Sequence, residues 1–204
     1  MTEDAQLRHA IDSLRAGDSV ILPTDTVYGL VAAAEGAAPT EKLYELKGRD
    51  RSQPSALLTA DLETLLTCLP ELDGRSEAIV RALLPGPYTL ILSNPGRRYG
   101  WLTGTRPEAI GVRVPALSAL AAQVVRSVGA VVSTSANAPG GPDPRSVREI
   151  PADLRERVGA VVDGGMLPGT PSSVIDFTAA EPRVLREGAA SSVAALALAA
   201  DALR

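Results

Sequence analysis

Apolar residues recur along this chain in two patterns, one typical of amphipathic helices and one of short buried strands. Helical spacing predicts helices over 4–16, 39–47, 61–69, 76–84 and 117–128, and an alanine-rich helix from about Ser191. Short aliphatic runs predict strands over 18–22, 88–92, 109–114, 130–132, 160–162, 173–177 and 183–185. Residues 27–33 fit either a strand or a short helix.

Strands and helices alternate in this order, which favours an α/β fold with an open sheet and helices covering both faces. The stretch from Ser133 to Pro144 is rich in Ser, Asn, Pro and Gly, so it is predicted to be a loop. It is too short to divide the chain, and no internal repeat occurs. We therefore expect residues 1–204 to form a single domain.

The amino-acid composition and net charge exclude some classes of protein. The 204 residues are 45% apolar and 22% charged, as in ordinary globular proteins, and only 3% are aromatic. A net charge of −4 and so few aromatic rings argue against a nucleic-acid-binding surface built on phosphate contacts or base stacking. The acidic N-terminus lacks a signal-peptide core, and no run of about 18 apolar residues occurs. We expect a cytoplasmic protein without a membrane span.

The residue types and motifs that the chain lacks limit the reactions that a catalytic site could carry out. Cys68 is the single cysteine and His9 the single histidine, so an internal disulfide and a Cys/His zinc site are excluded. His9 lies in a polar helix and reads as a surface residue. Neither common glycine-rich phosphate loop is present. Lys, Arg, acidic and hydroxyl side chains, or a bound metal, must therefore carry any reaction.

Four polar clusters follow predicted elements, where ligands collect in open α/β sheets. They are Pro23–Thr26, Lys47–Pro54, Ser133–Asn137 and Gly169–Ser173. Each also has a purely structural interpretation. Thr24 to Thr26 fit a turn or a helix cap, Lys47 and Arg49 fit helix-end cations, and the serines fit loops or strand starts.

Arg113 is harder to explain structurally. It lies between Val112 and Val114 in an apolar strand, and a mostly buried charge needs an anionic partner. Arg186 repeats the pattern after Val184 and Leu185. Guanidinium groups bind carboxylates and phosphates. Several cations and many hydroxyls without histidine or thiol suit phosphoryl or nucleotidyl transfer, where positioning and charge stabilisation supply the rate.

Six segments follow Pro23–Leu30 in order and complete a recognisable pattern. They are Lys47–Arg49, Pro85–Thr89, Val112–Pro115, Ser133–Asn137, Ser172–Asp176 and Leu185–Gly188. With them the chain resembles, over nearly its whole length, the YrdC/TsaC family, the threonylcarbamoyl-AMP synthases of tRNA modification. The resemblance implies a twisted, open, mixed α/β sheet flanked by helices, with a large concave active-site face. It also implies the short, single-domain form.

The resemblance implies a reaction and its residues. L-threonine, bicarbonate and ATP would give threonylcarbamoyl-AMP and pyrophosphate, with Mg²⁺ on the ATP phosphates and a partner enzyme transferring the product to tRNA. The implied catalytic residues are Lys47, Arg49, Ser135 and Asn137. The implied threonine-binding residues are Thr26, Arg113, Ser133 and Ser172. The implied ATP-binding residues are Arg49, Gln53, Ala109, Ser135, Asp143 and Arg186.

Some positions depart from the family pattern. Asp50 stands where many members have proline, Leu58 where many have a substrate-contacting histidine, and Ser173 where threonine is usual. Threonine must then be held without that histidine. Two other functions compete: a YrdC-like module that binds RNA without catalysis, and a related enzyme that carbamoylates another acceptor. The sequence leaves open whether the long loop over residues 93–108 closes over the substrates.

Overall fold

The computed structural model describes residues 2–204 and shows helices packed on a central sheet. The helices are Glu3–Arg15 (α1), Ala37–Lys47 (α2), Leu62–Cys68 (α3), Gly74–Leu83 (α4), Ala119–Arg126 (α5), Ala152–Arg157 (α6) and Ser192–Ala202 (α7). The strands are Val20–Pro23 (β1), Tyr28–Ala33 (β2), Ala56–Thr59 (β3), Tyr88–Ser93 (β4), Ala109–Arg113 (β5), Ala130–Ser135 (β6), Ala160–Val161 (β7), Ser173–Asp176 (β8) and Arg183–Arg186 (β9).

The sheet is mixed and is assembled from distant parts of the chain. Across residues 2–204 its nine strands follow the order β7-β1-β2-β6-β3-β5-β4-β8-β9. The pairs β1/β7, β3/β5 and β4/β8 are parallel, and the other neighbours are antiparallel. The predicted α/β class with a mixed open sheet is therefore confirmed. Within the same described residues, no helix combines the length and the apolar character needed to cross a membrane.

The two faces of the sheet are covered differently. In β3, Leu57 packs with residues of α3, α4 and α7, whereas Leu58 packs on the opposite side with residues of α1 and α5. Helices α2 and α6 extend the layer on the Leu57 side through a third cluster. On the Leu58 side, α1 and α5 cover only part of the sheet. The expectation of two covered faces is wrong there, because residues of β5, β4 and β8, among them Gly111 and Thr89, line an open cavity instead.

Most predicted elements are present within one to three residues of their expected ends. Residues 27–33 form a strand rather than a helix. Three details were wrong. Residues 133–135 continue β6 instead of starting a loop, and both β3 and α6 occur where no element was predicted. Pairing with β2 and β3 holds the polar end of β6 in extended form.

Candidate functional site

A cavity of about 330 Å³ lies on the partly covered face of the sheet. Its floor consists of small residues in four adjacent strands: Gly29, Ser133, Ala56 and Gly111. Ala56 is in register with both Ser133 and Gly111. A Cβ atom at Gly29 would lie 3.4 Å from Ser133 Oγ, closer than most real contacts. Small side chains on consecutive strands leave room for a ligand directly above the backbone.

The cavity brings together most of the residues singled out from the sequence. Eight of the twelve line its wall: Arg49, Ala109, Arg113, Ser133, Ser135, Asp143, Ser172 and Arg186. Thr26, Lys47, Gln53 and Asn137 are not part of the wall. The roles of all twelve residues stay predictions. The fold itself brings the eight wall residues together from distant segments of the chain.

Lys47 lies behind the wall and ties together the end of β6. It is 7% exposed, and its Nζ donates to Ser135 O at 2.8 Å and, over shorter contacts, to Asn137 O and Asn137 Oδ1. Ser135 Oγ donates to Asn137 Oδ1 at 2.8 Å, and Asn137 Nδ2 donates to Gly141 O at 2.6 Å. The three ammonium protons are thus all directed at protein oxygens. Lys47 fixes the backbone beside the cavity.

The electrostatics of this corner are set by burial and by two neighbours. Burial lowers the pKa of Lys47 to about 8; Arg49 lowers it as well, and Asp143 opposes the change. Gly48 ends α2 in the left-handed conformation (φ 61°) and turns the chain so that Arg49 reaches the cavity. Arg49 Nη1 donates to Thr134 Oγ1 at 3.1 Å and Nη2 to Pro54 O at 2.5 Å.

Arg113 has the anionic partner that its burial requires, and that partner is Asp25. The guanidinium is 8% exposed, and Nη2 lies 2.8 Å from Asp25 Oδ1 and 3.2 Å from Thr26 Oγ1. Burial lowers the pKa of Arg113, and Asp25 opposes this. Asp25 Oδ2 also accepts the backbone N–H of Ala116 at 3.2 Å. The interpretation of Asp25 as only a turn residue is therefore wrong, because its carboxylate compensates a buried charge.

Ser172 and Arg186 form the opposite part of the wall. Arg186 donates from Nε to Ser172 O at 3.0 Å and from Nη2 to Ser172 Oγ at 3.2 Å. Thr89 Oγ1 lies 2.8 Å from Ser172 Oγ. Gly188 makes this arrangement possible, because a Cβ there would lie 2.3 Å from Pro171 O and 2.6 Å from Ser172 O. The glycine of the Leu185–Gly188 segment is thus required by backbone packing.

Three residues at positions of the family pattern have side chains that lie away from the cavity wall. Leu58, at the position of the family histidine, is 1% exposed and packs in the core with α1 and α5, so its side chain does not reach the cavity. Gln53 is exposed outside the wall, and its carbonyl accepts the Tyr44 hydroxyl at 3.3 Å. Tyr28 is buried on the other face of the sheet, where its hydroxyl donates to Gly165 O at 2.8 Å.

Two residues on the rim of the cavity were not predicted from the sequence. Arg106 and Thr103 come from the 93–108 loop and line the cavity. Arg106 Nη1 is held by Asp176 Oδ2 at 3.1 Å, so the loop is tied to β8. Leu102 is fully buried and its carbonyl accepts the N–H of Ser55 at 2.9 Å. No periodic pattern marks these positions, because a loop residue is placed by its tertiary contacts alone.

The donor set of the cavity suits an anion rather than a resident metal. Four arginines and several hydroxyls line it, against the single carboxylate of Asp143. Within residues 2–204 there is no cluster of three or more His, Cys, Asp or Glu side chains that could hold a metal ion.

Fold and site together define a class: an α/β protein whose mixed sheet carries an arginine- and hydroxyl-lined cavity for anionic substrates. The family model Sua5_yciO_yrdC, described as telomere recombination, matches residues 12–188. The chain belongs to this Sua5/YciO/YrdC family.

Relatives of known name support the assignment. The threonylcarbamoyl-AMP synthase of Halorhodospira halophila is 35% identical over 163 residues, which are 80% of this chain and 85% of the relative. That of Pyrococcus abyssi is 32% identical over 187 residues, 91% of this chain and 55% of the relative. The solved structure of P. abyssi Sua5 complexed with L-threonine matches with a TM-score of 0.78 and 30% identity over 92% of this chain. This chain spans 55% of that longer protein.

Proposed function

We propose that this protein is an L-threonylcarbamoyladenylate synthase. It joins L-threonine, bicarbonate and ATP into threonylcarbamoyl-AMP and pyrophosphate, which makes it a nucleotidyltransferase of tRNA modification. The observation that carries the proposal is the cavity in which Arg49, Ser135, Arg113 and Ser172 converge. Relatives named threonylcarbamoyl-AMP synthase support it.

The charge distribution of the cavity suits a nucleoside triphosphate beside a smaller anion. No ion pair among residues 2–204 involves Arg49 or Arg186, which donate only to neutral oxygens. Their charges are therefore free to bind phosphates. Arg113 shares its charge with Asp25 and suits a single carboxylate, that of threonine. Magnesium would accompany the phosphates and screen their charge.

The reaction assigns each group a step. The threonine amine and bicarbonate give a carbamate and water. A carbamate oxygen then bonds to the α-phosphorus while the bond to the β-phosphate bridging oxygen breaks and pyrophosphate leaves. Arg49 and Arg186 would stabilise the charge that develops on the phosphates. Lys47 would hold Ser135 and Asn137 in place and add positive charge behind them.

Recognition of threonine would rely on hydroxyl groups in place of the family histidine. Thr26, Ser133 and Ser172 are buried polar groups; Thr26 contacts Arg113, and the two serines line the same cavity as Arg113. A site that pairs with the substrate hydroxyl discriminates against valine, because valine would leave its polar groups unpaired. A transferase that acts on tRNA would consume the product, so the proposed place of action is the cytoplasm. The alternative of a non-catalytic RNA-binding module is not favoured.

The test measures pyrophosphate release from ATP by the pure protein. We expect release only when both L-threonine and bicarbonate are present. The variant Arg49→Gln should lose most of the activity, whereas Arg51→Gln should not. Arg51 is a matched control: it lies two residues away, is exposed, and pairs with Glu41. Pyrophosphate release without threonine, or equal release with any amino acid, would refute the proposed function.

A further inference from the structure

The hydroxyls of Thr89 and Ser172 form a pair on the cavity wall, and one of their two protons has no acceptor within the pair. Their oxygens lie 2.8 Å apart, and Ser172 Oγ also accepts from Arg186 Nη2 at 3.2 Å. Two hydroxyls carry two protons, and only one can bridge the pair. The other has no acceptor anywhere in residues 2–204.

Burial decides which hydroxyl holds the unused proton. If Thr89 donated to Ser172, the unused proton would lie on Ser172, which is only 3% exposed. An unpaired buried donor is unfavourable. Both hydroxyls line the cavity, but Thr89 is the more exposed of the two, so the reverse arrangement places the unused proton at the more open position. Ser172 therefore donates to Thr89, and the Thr89 O–H is directed into the cavity.

Strand register places this donor beside Arg113. Leu90 of β4 faces Val112 of β5 in an antiparallel pair, so the preceding Thr89 faces Arg113 on the same side of the sheet. Side chains at such positions have Cβ atoms about 5 Å apart. Arg113 Nε is buried and has no hydrogen-bond partner in the described chain, while Nη2 is held by Asp25. The unpaired N–H of Arg113 and the unused O–H of Thr89 thus belong to facing side chains of neighbouring strands.

We propose that Thr89 is a substrate-binding residue that donates a hydrogen bond to a carboxylate oxygen of the amino acid substrate beside Arg113. This assignment rests on the proposed function and adds a residue to it. A carboxylate has two acceptor oxygens, so one can accept from the Thr89 hydroxyl and the other from the Arg113 guanidinium, since both side chains line the cavity. Asp25 already balances most of the charge on Arg113, so this end of the cavity suits a monoanion better than a triphosphate.

The test compares L-threonine and ATP binding to the full chain by isothermal titration calorimetry. Thr89→Val keeps the shape of the side chain and removes the hydroxyl. Loss of a hydrogen bond to a charged group should weaken L-threonine binding by roughly ten- to a hundredfold. ATP binding should stay the same, whereas the melting temperature should fall slightly, because the buried Ser172 hydroxyl loses its acceptor. Thr89→Ser should recover most of the lost affinity, since it restores the O–H.

Thr67→Val is the matched control, because Thr67 is exposed on α3 and bonds only to the carbonyl of Glu63. Unchanged threonine affinity in Thr89→Val, or an equal loss of ATP affinity, would overturn the inference. So would a failure of Thr89→Ser to recover binding. Pyrophosphate release by the wild type is measured in parallel. If the wild type binds threonine but releases no pyrophosphate, the proposed function fails while the Thr89 contact stands. A wild type that binds no threonine overturns both.

Discussion

Lys47 is surrounded by three acceptor oxygens, so its proton count decides whether the Ser135–Asn137 segment keeps its geometry. With a pKa of about 8, the ammonium is charged below that pH and neutral above it. A neutral amine has two protons for three oxygens. We expect kcat/KM to fall about tenfold per pH unit above roughly pH 8.

The decrease in kcat/KM at high pH is the falling limb of the pH profile, and its origin can be tested at a residue next to Lys47. The charge of Asp143 holds the proton on Lys47, so Asp143→Asn should move the limb to lower pH. Asp153→Asn, an exposed position on α6, should leave it in place. A limb that does not move in Asp143→Asn would assign it to another group, such as the amine of the substrate. The pH profiles of the three proteins decide between these outcomes.

Asp25 is the residue whose loss should cost the fold most. Asp25→Asn keeps the size of the side chain but leaves the buried Arg113 without a counter-charge. Breaking a buried ion pair from one side costs about 3–5 kcal/mol, so urea unfolding should show a loss near the lower end. Threonine affinity should fall as well, because Arg113 loses the group that orients it.

Asp18→Asn provides the comparison for Asp25→Asn. Asp18 pairs with Lys42 at 3.5 Å, and both side chains are more than half exposed. Exposed pairs contribute little to stability, so the unfolding midpoint should not change measurably. Equal stability losses in the two variants would contradict a special role for the Asp25–Arg113 pair.

At the scale of elements, β9 and Gly188, which follows it, connect the C-terminal part of the chain to the cavity. Gly188→Ala would push a Cβ against Pro171 O and Ser172 O, and the strand end must move to accept it. We expect a loss of about 1–3 kcal/mol in urea unfolding and a higher KM for ATP, since Arg186 moves with the strand. Gly100→Ala is the control, because no atom lies within 4 Å of its added Cβ. A stable Gly188→Ala protein with normal ATP affinity would contradict this account.

The elements that sequence patterns missed share a physical cause. Ala56–Thr59 reads as neither helix nor strand because Ala and Leu suit both, and β3 owes its form to pairing with β5 and β6. The polar end of β6 resembles a loop because its serines face the cavity rather than the core. Local patterns predict elements that bury one clear face. They fail where the tertiary surroundings decide the form, as in β3, whose leucines are buried on both faces, and at the end of β6, which lines the cavity.

For the whole molecule, the cavity depends on small residues at the centre of the sheet. Gly111→Val adds two methyl groups beyond a Cβ that itself fits, since its nearest contact is 3.7 Å from Ser55 O. Valine suits a strand, so the fold should keep its melting temperature. Activity should fall by on the order of a hundredfold, because the substrates are displaced. Gly111→Ala should give an intermediate loss. An active Gly111→Val protein would place the substrates elsewhere.

The site was partly accessible from the sequence. Arg113 could be singled out because a cation in an apolar strand needs a partner, and the resemblance added the other wall residues. Asp25 could not be matched to it, because 88 residues separate the two and no periodicity connects them. Thr89 could have been found from its alternation with the buried Leu90 and Leu92. Arg106 could not, because its place depends on a loop tied to Asp176.

The strand order also has a consequence for the folding of the chain during its synthesis on the ribosome. The floor joins β2, β6, β3 and β5, and the wall is closed by Arg186 at the end of the last strand, with Gly188 packed behind it against Pro171 and Ser172. Contacts between such distant segments form late, because long stretches of chain must be ordered first. A nascent chain therefore acquires its binding site only after residue 188 has emerged from the exit tunnel. Until then, neither ATP nor an amino acid can aid its folding.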